Sequence, residues 1–197
     1  MPSGEKPPSN CASRWIAVVT DAEAVRARPR LYFGVGRGDP CLPGAIARTV
    51  AAEPFGWSHE PVDVELRVDA DLTFTVTDDG TVPLDCLGGL PLLDRNGCLL
   101  DRRRWALAAA AALSVRVSVE LHACGRRWIQ TLAGAVPEEP PQDRGAAEGS
   151  LTRVTFELDA GFFRPGAALP ADSGQLWPYG GPGAVRGSFA VTDLRVA

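Results

Sequence analysis

The sequence predicts an α+β two-layer sandwich, with helices on one face of a mostly antiparallel, mixed sheet. Stretches that alternate apolar and polar residues come in pairs joined by short turns, which is typical of antiparallel hairpins with one buried face. Helical stretches precede the first pair, and an alanine-rich helix separates it from the second, so the sheet has helices to cover it. The predicted single domain covers residues 14–197 and follows a disordered, Pro- and Ser-rich tail over residues 1–13.

Three helices are predicted, at residues 15–27, 45–53 and 102–113. In the second helix, Ile46, Thr49 and Val50 are spaced to form one buried face, and Pro54 is expected to end it. The third runs through five consecutive alanines, and Asp101 is its expected N-cap. Its small side chains predict close packing on a sheet.

Six strands are predicted, at residues 62–68, 72–76, 115–121, 127–132, 151–158 and 188–196. The first two form one predicted hairpin, and the next two form a second hairpin around Cys124-Gly125. Residues 137–149 and 165–187 are rich in proline, and each is expected to be an irregular loop.

Composition excludes several classes of protein. The 197 residues include 20 basic and 24 acidic ones, giving a net charge of −4, so no basic surplus indicates direct nucleic-acid binding. No apolar run approaches the roughly 18 residues of a membrane span, and the first residues lack the apolar core of a secretory signal. Five cysteines without a C-x-x-C pair predict free thiols and no metal site. We therefore expect a cytoplasmic protein that does not contact the membrane.

One segment carries a specific motif: residues 23–34 read E-A-V-R-A-R-P-R-L-Y-F-G. This resembles the entry motif of the ATPase domain of DNA gyrase B and its type IIA topoisomerase relatives, E-A-V-R-x-R-P-x-x-Y-x-G. Other segments are similar to that family in the same order: T-D-D-G-T-V-P-L-D at 77–85, A-A-A-L-S at 110–114, L-T-R-V-T-F at 151–156 and A-V-T-D-L-R at 190–195. The resemblance implies the Bergerat fold of the GHKL (histidine kinase-like) ATPases.

The resemblance also implies an adenine pocket, made of Val76, Asp78, Gly80, Val82, Pro83, Thr152 and Val154. Asp78 takes the position of the aspartate that accepts the adenine amino proton, and Thr152 that of the residue holding a bridging water. Gly80 would let the backbone approach the base. The alternative is that Asp78-Asp79-Gly80 forms only a turn after a strand, since Asp-Gly is a common turn dipeptide.

The hydrolytic residues of the family are not matched. Its first long helix carries a glutamate that activates water and, four residues later, an asparagine that binds Mg²⁺; the matching positions here are Arg48 and Ala52. The neighbouring Glu53 is expected to be a solvated residue at the helix end.

The phosphate-binding segment is also changed. The family's glycine-rich lid corresponds to residues 101–106, D-R-R-R-W-A, which contain no glycine. Two interpretations of the arginines at 102–104 remain: they bind an anion through their guanidinium groups, or they form a solvated helix face.

These observations predict a degenerate GHKL domain that acts as a binding or regulatory module, does not hydrolyse ATP and retains residual binding of ATP or ADP without Mg²⁺. One alternative is a slow ATPase of the topoisomerase type that recruits Glu53 or Asp79. Another is a nucleotide-free interaction scaffold whose pocket is filled by Trp57 or Trp105. A protein partner is expected, with a gyrase subunit as one candidate. Its contact surface is either the 165–187 segment, through Trp177 and Tyr179, or elsewhere if that segment is only an exposed loop.

Overall fold

The computed structural model describes residues 21–80, 104–178 and 185–195, and within them the fold is α+β. The helices are α1 (Asp21–Ala27), α2 (Arg30–Phe33), α3 (Leu42–Trp57) and α4 (Trp105–Ala112), with a 3₁₀ turn at Ser173–Leu176. The strands are β1 (Val62–Ala70), β2 (Thr73–Asp78), β3 (Ser114–Ala123), β4 (Arg126–Ala133), β5 (Val136–Pro137), β6 (Gln142–Ala146), β7 (Leu151–Leu158) and β8 (Gly187–Asp193). The predicted tail, the start of the predicted first helix, Asp101 and Tyr179 lie outside the described residues.

Eight strands form one open, mixed sheet in the order β5-β4-β3-β7-β2-β1-β8, with β6 paired to β4. The β1–β8 pair is parallel and the other pairs are antiparallel. Both predicted hairpins are confirmed, β1–β2 and β3–β4. Left-handed backbone angles at Cys124 (φ 51°) and Gly125 (φ 73°) make the tight turn of the second hairpin.

The core lies between the sheet and the helices. In β1 the apolar side chains are buried and the alternating polar ones are exposed or half-buried, as period-two patterning predicts. Phe74 and Phe156 stack across β2 and β7 with ring centroids 5.0 Å apart. Helix α3 contacts β1 and β2, and α4 contacts β3 and β7. This arrangement is compatible with a two-layer sandwich.

Helix α3 is longer than predicted, because neither of its prolines breaks it. It begins at Leu42, with Pro43 in the first turn, where the missing N–H has no helical partner to lose. Pro54 lies inside the helix, which continues to Trp57. A proline in that position removes one main-chain hydrogen bond, and we attribute the helix's persistence to tertiary packing, because Pro54 itself is buried.

Two predicted loops contain ordered structure. The 137–149 segment includes β6 and the end of β5, which form because β4 presents an edge to pair with. In the 165–187 segment, Leu176 is buried and Trp177 packs edge-to-face on Phe189, with ring centroids 5.0 Å apart. Trp177 is therefore half-buried against the core, and its role in a contact surface stays a prediction.

Candidate functional site

The floor of the candidate site is a patch of four side chains on β2 and β7. Asp78 ends β2 directly opposite Thr152 on β7, and Val76 lies opposite Val154 two residues earlier. All four residues are at most 3% exposed. Asp78 is thus a paired strand residue, and because its Oδ1 accepts the Gly80 N–H it also begins an Asx turn at the end of β2. Since side chains two apart on a strand share a face, one apolar pair and one polar pair form a continuous surface.

Gly80 lies beside this floor. Its N–H donates to Asp78 Oδ1 at 3.2 Å, and its carbonyl accepts a hydrogen bond from Ser150 Oγ at 3.0 Å. The structure therefore brings together five of the residues that the sequence assigned to the pocket: Val76, Asp78, Gly80, Thr152 and Val154. Val82 and Pro83 lie outside the described residues.

Thr152 contributes a polar atom with unused hydrogen-bonding capacity. Its Oγ1 is buried and has no hydrogen-bond partner within residues 21–80, 104–178 and 185–195. Burying a hydroxyl without a partner costs about 1–3 kcal/mol. The Thr152 hydroxyl can therefore form a hydrogen bond with a water molecule or a ligand next to Asp78.

The carboxylate of Asp78 is held by a guanidinium. Arg104 Nη2 donates to Asp78 Oδ1 at 3.0 Å and Nη1 donates to Oδ2 at 3.2 Å, which is a bidentate pair. The two side chains are 5% and 3% exposed. Arg104 immediately precedes α4, so the solvated-face interpretation of the 102–104 arginines is wrong for this one.

Glu53 reaches the same site from α3. Its Oε1 accepts a hydrogen bond from the backbone N–H of Ala106 at 2.7 Å, in the first turn of α4. The expectation that Glu53 is a solvated helix-end residue is wrong. Helix α3 continues past it, and its side chain is enclosed between α3 and the start of α4.

Burial changes the acid–base properties of both carboxyl groups. Desolvation raises the pKa of Glu53 to about 7, although the Ala106 N–H and the charge of Arg104 act in the opposite direction. Burial also raises the pKa of Asp78, and the ion pair with Arg104 offsets only part of this effect. The charge of Arg104 thus acts on two buried carboxyl groups.

Arg104 and Glu53 were not assigned to the pocket from the sequence, although Glu53 had a usable signal. Glu53 follows Ile46 and Val50 at spacings of seven and three, so it continues the buried face of α3. Arg104 had no comparable signal, because its partner Asp78 is 26 residues away in the chain.

Trp105, one of the two tryptophans proposed to fill the pocket, does not fill it. Trp105 is 47% exposed and lies beside Tyr32, with ring centroids 6.4 Å apart. The side chain of Trp57 lies outside what the structure describes. The group that occupies Asp78 is Arg104.

No known family model and no curated protein matches this chain in sequence. No described helix combines the length and the apolar character needed to cross a membrane.

Proposed function

We propose that this chain is a gyrase-B-like GHKL module that binds or regulates a partner, does not hydrolyse ATP, and keeps a base-recognition pocket around Asp78. The observation that supports this proposal best is the Asp78–Thr152 pair. A buried carboxylate lies across a strand pair from a buried hydroxyl without a partner among the described residues, above the apolar pair Val76 and Val154.

This floor suits the chemistry of a planar base that bears an amino group. The carboxylate can accept an N–H, the hydroxyl can hold a water or a ring nitrogen, and the two valines can contact the ring face. Selectivity follows because a base without the amino group offers the buried carboxylate no donor in place of Arg104. We propose an adenine nucleotide as the ligand, in keeping with the family that the motifs resemble.

We propose the absence of hydrolysis because α3 lacks the residues that the family uses for it. The two positions that match the catalytic glutamate and the Mg²⁺-binding asparagine hold Arg48 and Ala52. Loss of a general base typically lowers a rate by about 10²–10⁴-fold, and here the matched metal ligand is also missing.

Titration calorimetry with adenosine, ADP and ATP, with and without Mg²⁺, tests the proposal. We expect weak binding that does not depend on Mg²⁺, that Asp78→Asn weakens, and that occurs without phosphate release. The exposed Asp71→Asn is a matched control that should bind as the wild type does. Absence of binding to all three ligands would contradict the retained pocket.

A second candidate function, a slow ATPase, is favoured by Glu53. A carboxyl group with a pKa of about 7 inside the site has the property of a general base near neutral pH. Asp79, the other residue considered for this role, is exposed and accepts the N–H of Asp63 at 2.8 Å instead. Mg²⁺-dependent phosphate release that Glu53→Gln abolishes would establish this candidate and overturn the first.

A module without hydrolysis acts through what it contacts, so we also propose a protein partner, with a gyrase subunit as the first candidate. Leu31 is 75% exposed and Trp105 is 47% exposed, and Tyr32 connects their two helices beside the site. Sedimentation of the purified chain with the host's gyrase subunits tests this pairing. Complex formation that Leu31→Ser and Trp105→Ser abolish would support it, and independent sedimentation of wild-type chain and subunits would contradict it.

A further inference from the structure

The candidate site is occupied by two side chains of the chain itself, one cationic and one anionic. Arg104 donates hydrogen bonds to both carboxylate oxygens of Asp78, and the Glu53 carboxyl group accepts the Ala106 N–H at the start of α4. Glu53 comes from α3, and Arg104 immediately precedes α4. The two occupants differ in chemistry, so each can be compared with a part of an external ligand.

Arg104 presents planar N–H donors to Asp78, as the amino edge of a base would. A guanidinium is a planar group with N–H donors, and it binds both carboxylate oxygens at 3.0 and 3.2 Å. An aminopurine presents a planar N–H donor to a carboxylate in the same way. Gly80 and Arg104 use three of the roughly four acceptor positions of the Asp78 carboxylate, so a base can pair with the edge formed by both oxygens only after Arg104 leaves it.

Glu53 offers α4 the same chemistry as a phosphate oxygen. Backbone N–H groups in the first turn of a helix bind anions, and α4 has eight residues. The residue at its N-cap position makes no capping side-chain hydrogen bond. The carboxyl oxygen of Glu53 accepts the Ala106 N–H at 2.7 Å and therefore takes the place that a phosphate oxygen would have there.

Thr152 is an independent indication that the site is built for more than these two occupants. Arg104 and Glu53 leave its buried Oγ1 without a hydrogen-bond partner among the described residues, directly across from Asp78. The unsatisfied Thr152 hydroxyl costs stability and does not contribute to the ion pair, so it indicates a further ligand.

We infer that Arg104 and Glu53 are internal ligands of this site, and that an aminopurine nucleotide binds only by displacing the first from Asp78 and the second from the start of α4. This inference rests on the proposed function, since it concerns the same pocket. It adds that Arg104 occupies the place of the base at Asp78 and that Glu53 occupies the place of a phosphate at the Ala106 N–H.

Internal ligands lower the apparent affinity for an external one. The apparent dissociation constant rises by the inverse of the fraction of molecules in which the position is open. A tethered group acts at an effective concentration in the millimolar range or above. Removing one internal ligand should therefore strengthen binding of the corresponding part of the nucleotide by about tenfold or more.

The two positions are separated by comparing adenosine with ADP in calorimetry. We expect Arg104→Ala to bind both adenosine and ADP at least about tenfold more tightly than the wild type. We expect Glu53→Ala to tighten the binding of ADP by a similar factor and to leave adenosine unchanged, because adenosine has no phosphate. The exposed residues Arg116 and Glu157 supply matched controls, Arg116→Ala and Glu157→Ala, which make the same charge changes away from the site and should bind as the wild type does.

Methylguanidinium distinguishes failure of this inference from failure of the proposed function. If Arg104→Ala binds adenosine no more tightly than the wild type does, the inference is wrong while the adenine pocket can stand. If that variant binds methylguanidinium but neither adenosine nor ADP, Arg104 is an internal occupant and the adenine assignment is wrong. If it binds none of the three, both are wrong.

A measurement on the wild type covers the case in which a variant does not fold. On addition of ADP, the NMR signals of the Arg104 guanidinium and of the Ala106 amide should both shift, since both lose their present partners. Adenosine should shift only the Arg104 signals. ADP binding detected by calorimetry with neither signal changed would overturn the inference.

Discussion

The carboxylate of Glu53, a residue of α3, accepts the backbone N–H of Ala106 at 2.7 Å and so caps the first turn of α4 from another helix. Helix N-termini leave N–H groups without main-chain partners, and a carboxylate there also interacts favourably with the helix dipole. The contact joins the two helices that cover Asp78. It also half-buries an ionisable group, whose pKa is raised in consequence.

Glu53 should make the folded state less stable as pH rises. Burial raises its pKa from 4.5 to about 7, so the folded protein binds a proton that the unfolded chain has released between these values. Its stabilising contribution is complete below about pH 4.5 and is lost as pH rises through 7. Arg104 and Asp78 are the charged groups that face it.

Glu53→Gln tests this, because glutamine keeps the acceptor for Ala106 N–H but does not ionise. Relative to the wild type, the variant should gain roughly 3 kcal/mol in free energy of unfolding between pH 4.5 and pH 8. Urea unfolding at several pH values measures the difference, with the exposed Glu157→Gln as control. Parallel pH profiles for wild type and Glu53→Gln would show that Glu53 ionises normally.

Breaking the Asp78–Arg104 pair should cost far more than replacing it. Asp78→Asn leaves a buried guanidinium without its counter-charge, and such changes typically cost about 3–5 kcal/mol. The double variant Asp78→Leu/Arg104→Met removes both charges and should recover most of that loss. Equilibrium unfolding of Asp78→Asn, Asp78→Leu, Arg104→Met and the double variant measures this; equal losses in all four would mean that the ion pair has no special role.

Gly187→Ala should be strongly destabilising because of steric overlap in the β1–β8 pair. Gly187 has φ +117°, and a Cβ there would lie 2.0 Å from the carbonyl oxygen of Val62. We expect a loss of about 3 kcal/mol or more in thermal or urea unfolding. Gly166→Ala is the control: its φ is +78° with nothing within 4 Å of the added carbon, so it should lose only about 1 kcal/mol of conformational energy.

Arg26 and Asp159 should be coupled at neutral pH and uncoupled in acid. Arg26 Nη2 donates to Asp159 Oδ2 at 2.7 Å, and this hydrogen bond contributes most to holding the pKa of Asp159 below its usual value. A lowered pKa means that the stabilisation is present above the ordinary aspartate pKa and is lost as pH falls through the folded-state value.

A double-mutant cycle with Arg26→Met and Asp159→Asn measures this coupling. Both side chains are partly exposed, so we expect about 0.5–1 kcal/mol at pH 7 and a value near zero once Asp159 is protonated. Asparagine can still accept the Gly161 N–H, so that contact does not confound the cycle. A coupling energy that is unchanged in acid would contradict the assignment.

Most strands were predictable because their signal is local. Alternation in β1 and β7 places apolar residues on one face, and the structure buries those residues. Strands β5 and β6 carry no such alternation, and they exist because β4 has an edge available for pairing. The extension of α3 through Pro54 was not predictable, since an isolated helix loses a hydrogen bond there.

By itself the sequence determined the α+β class and the two hairpins, because these follow from side-chain period and from turns of a few residues. The second strand was predicted to end at residue 76, whereas in the structure it pairs with β7 as far as Asp78, opposite Thr152. The tertiary structure decided which side chains contact Asp78 and the start of α4. Arg104 is 26 residues from its partner Asp78 along the chain, and Glu53 is 53 residues from its partner Ala106. Whether Arg104 is solvated or buried against Asp78 depends on packing between distant segments, and no local pattern encodes it.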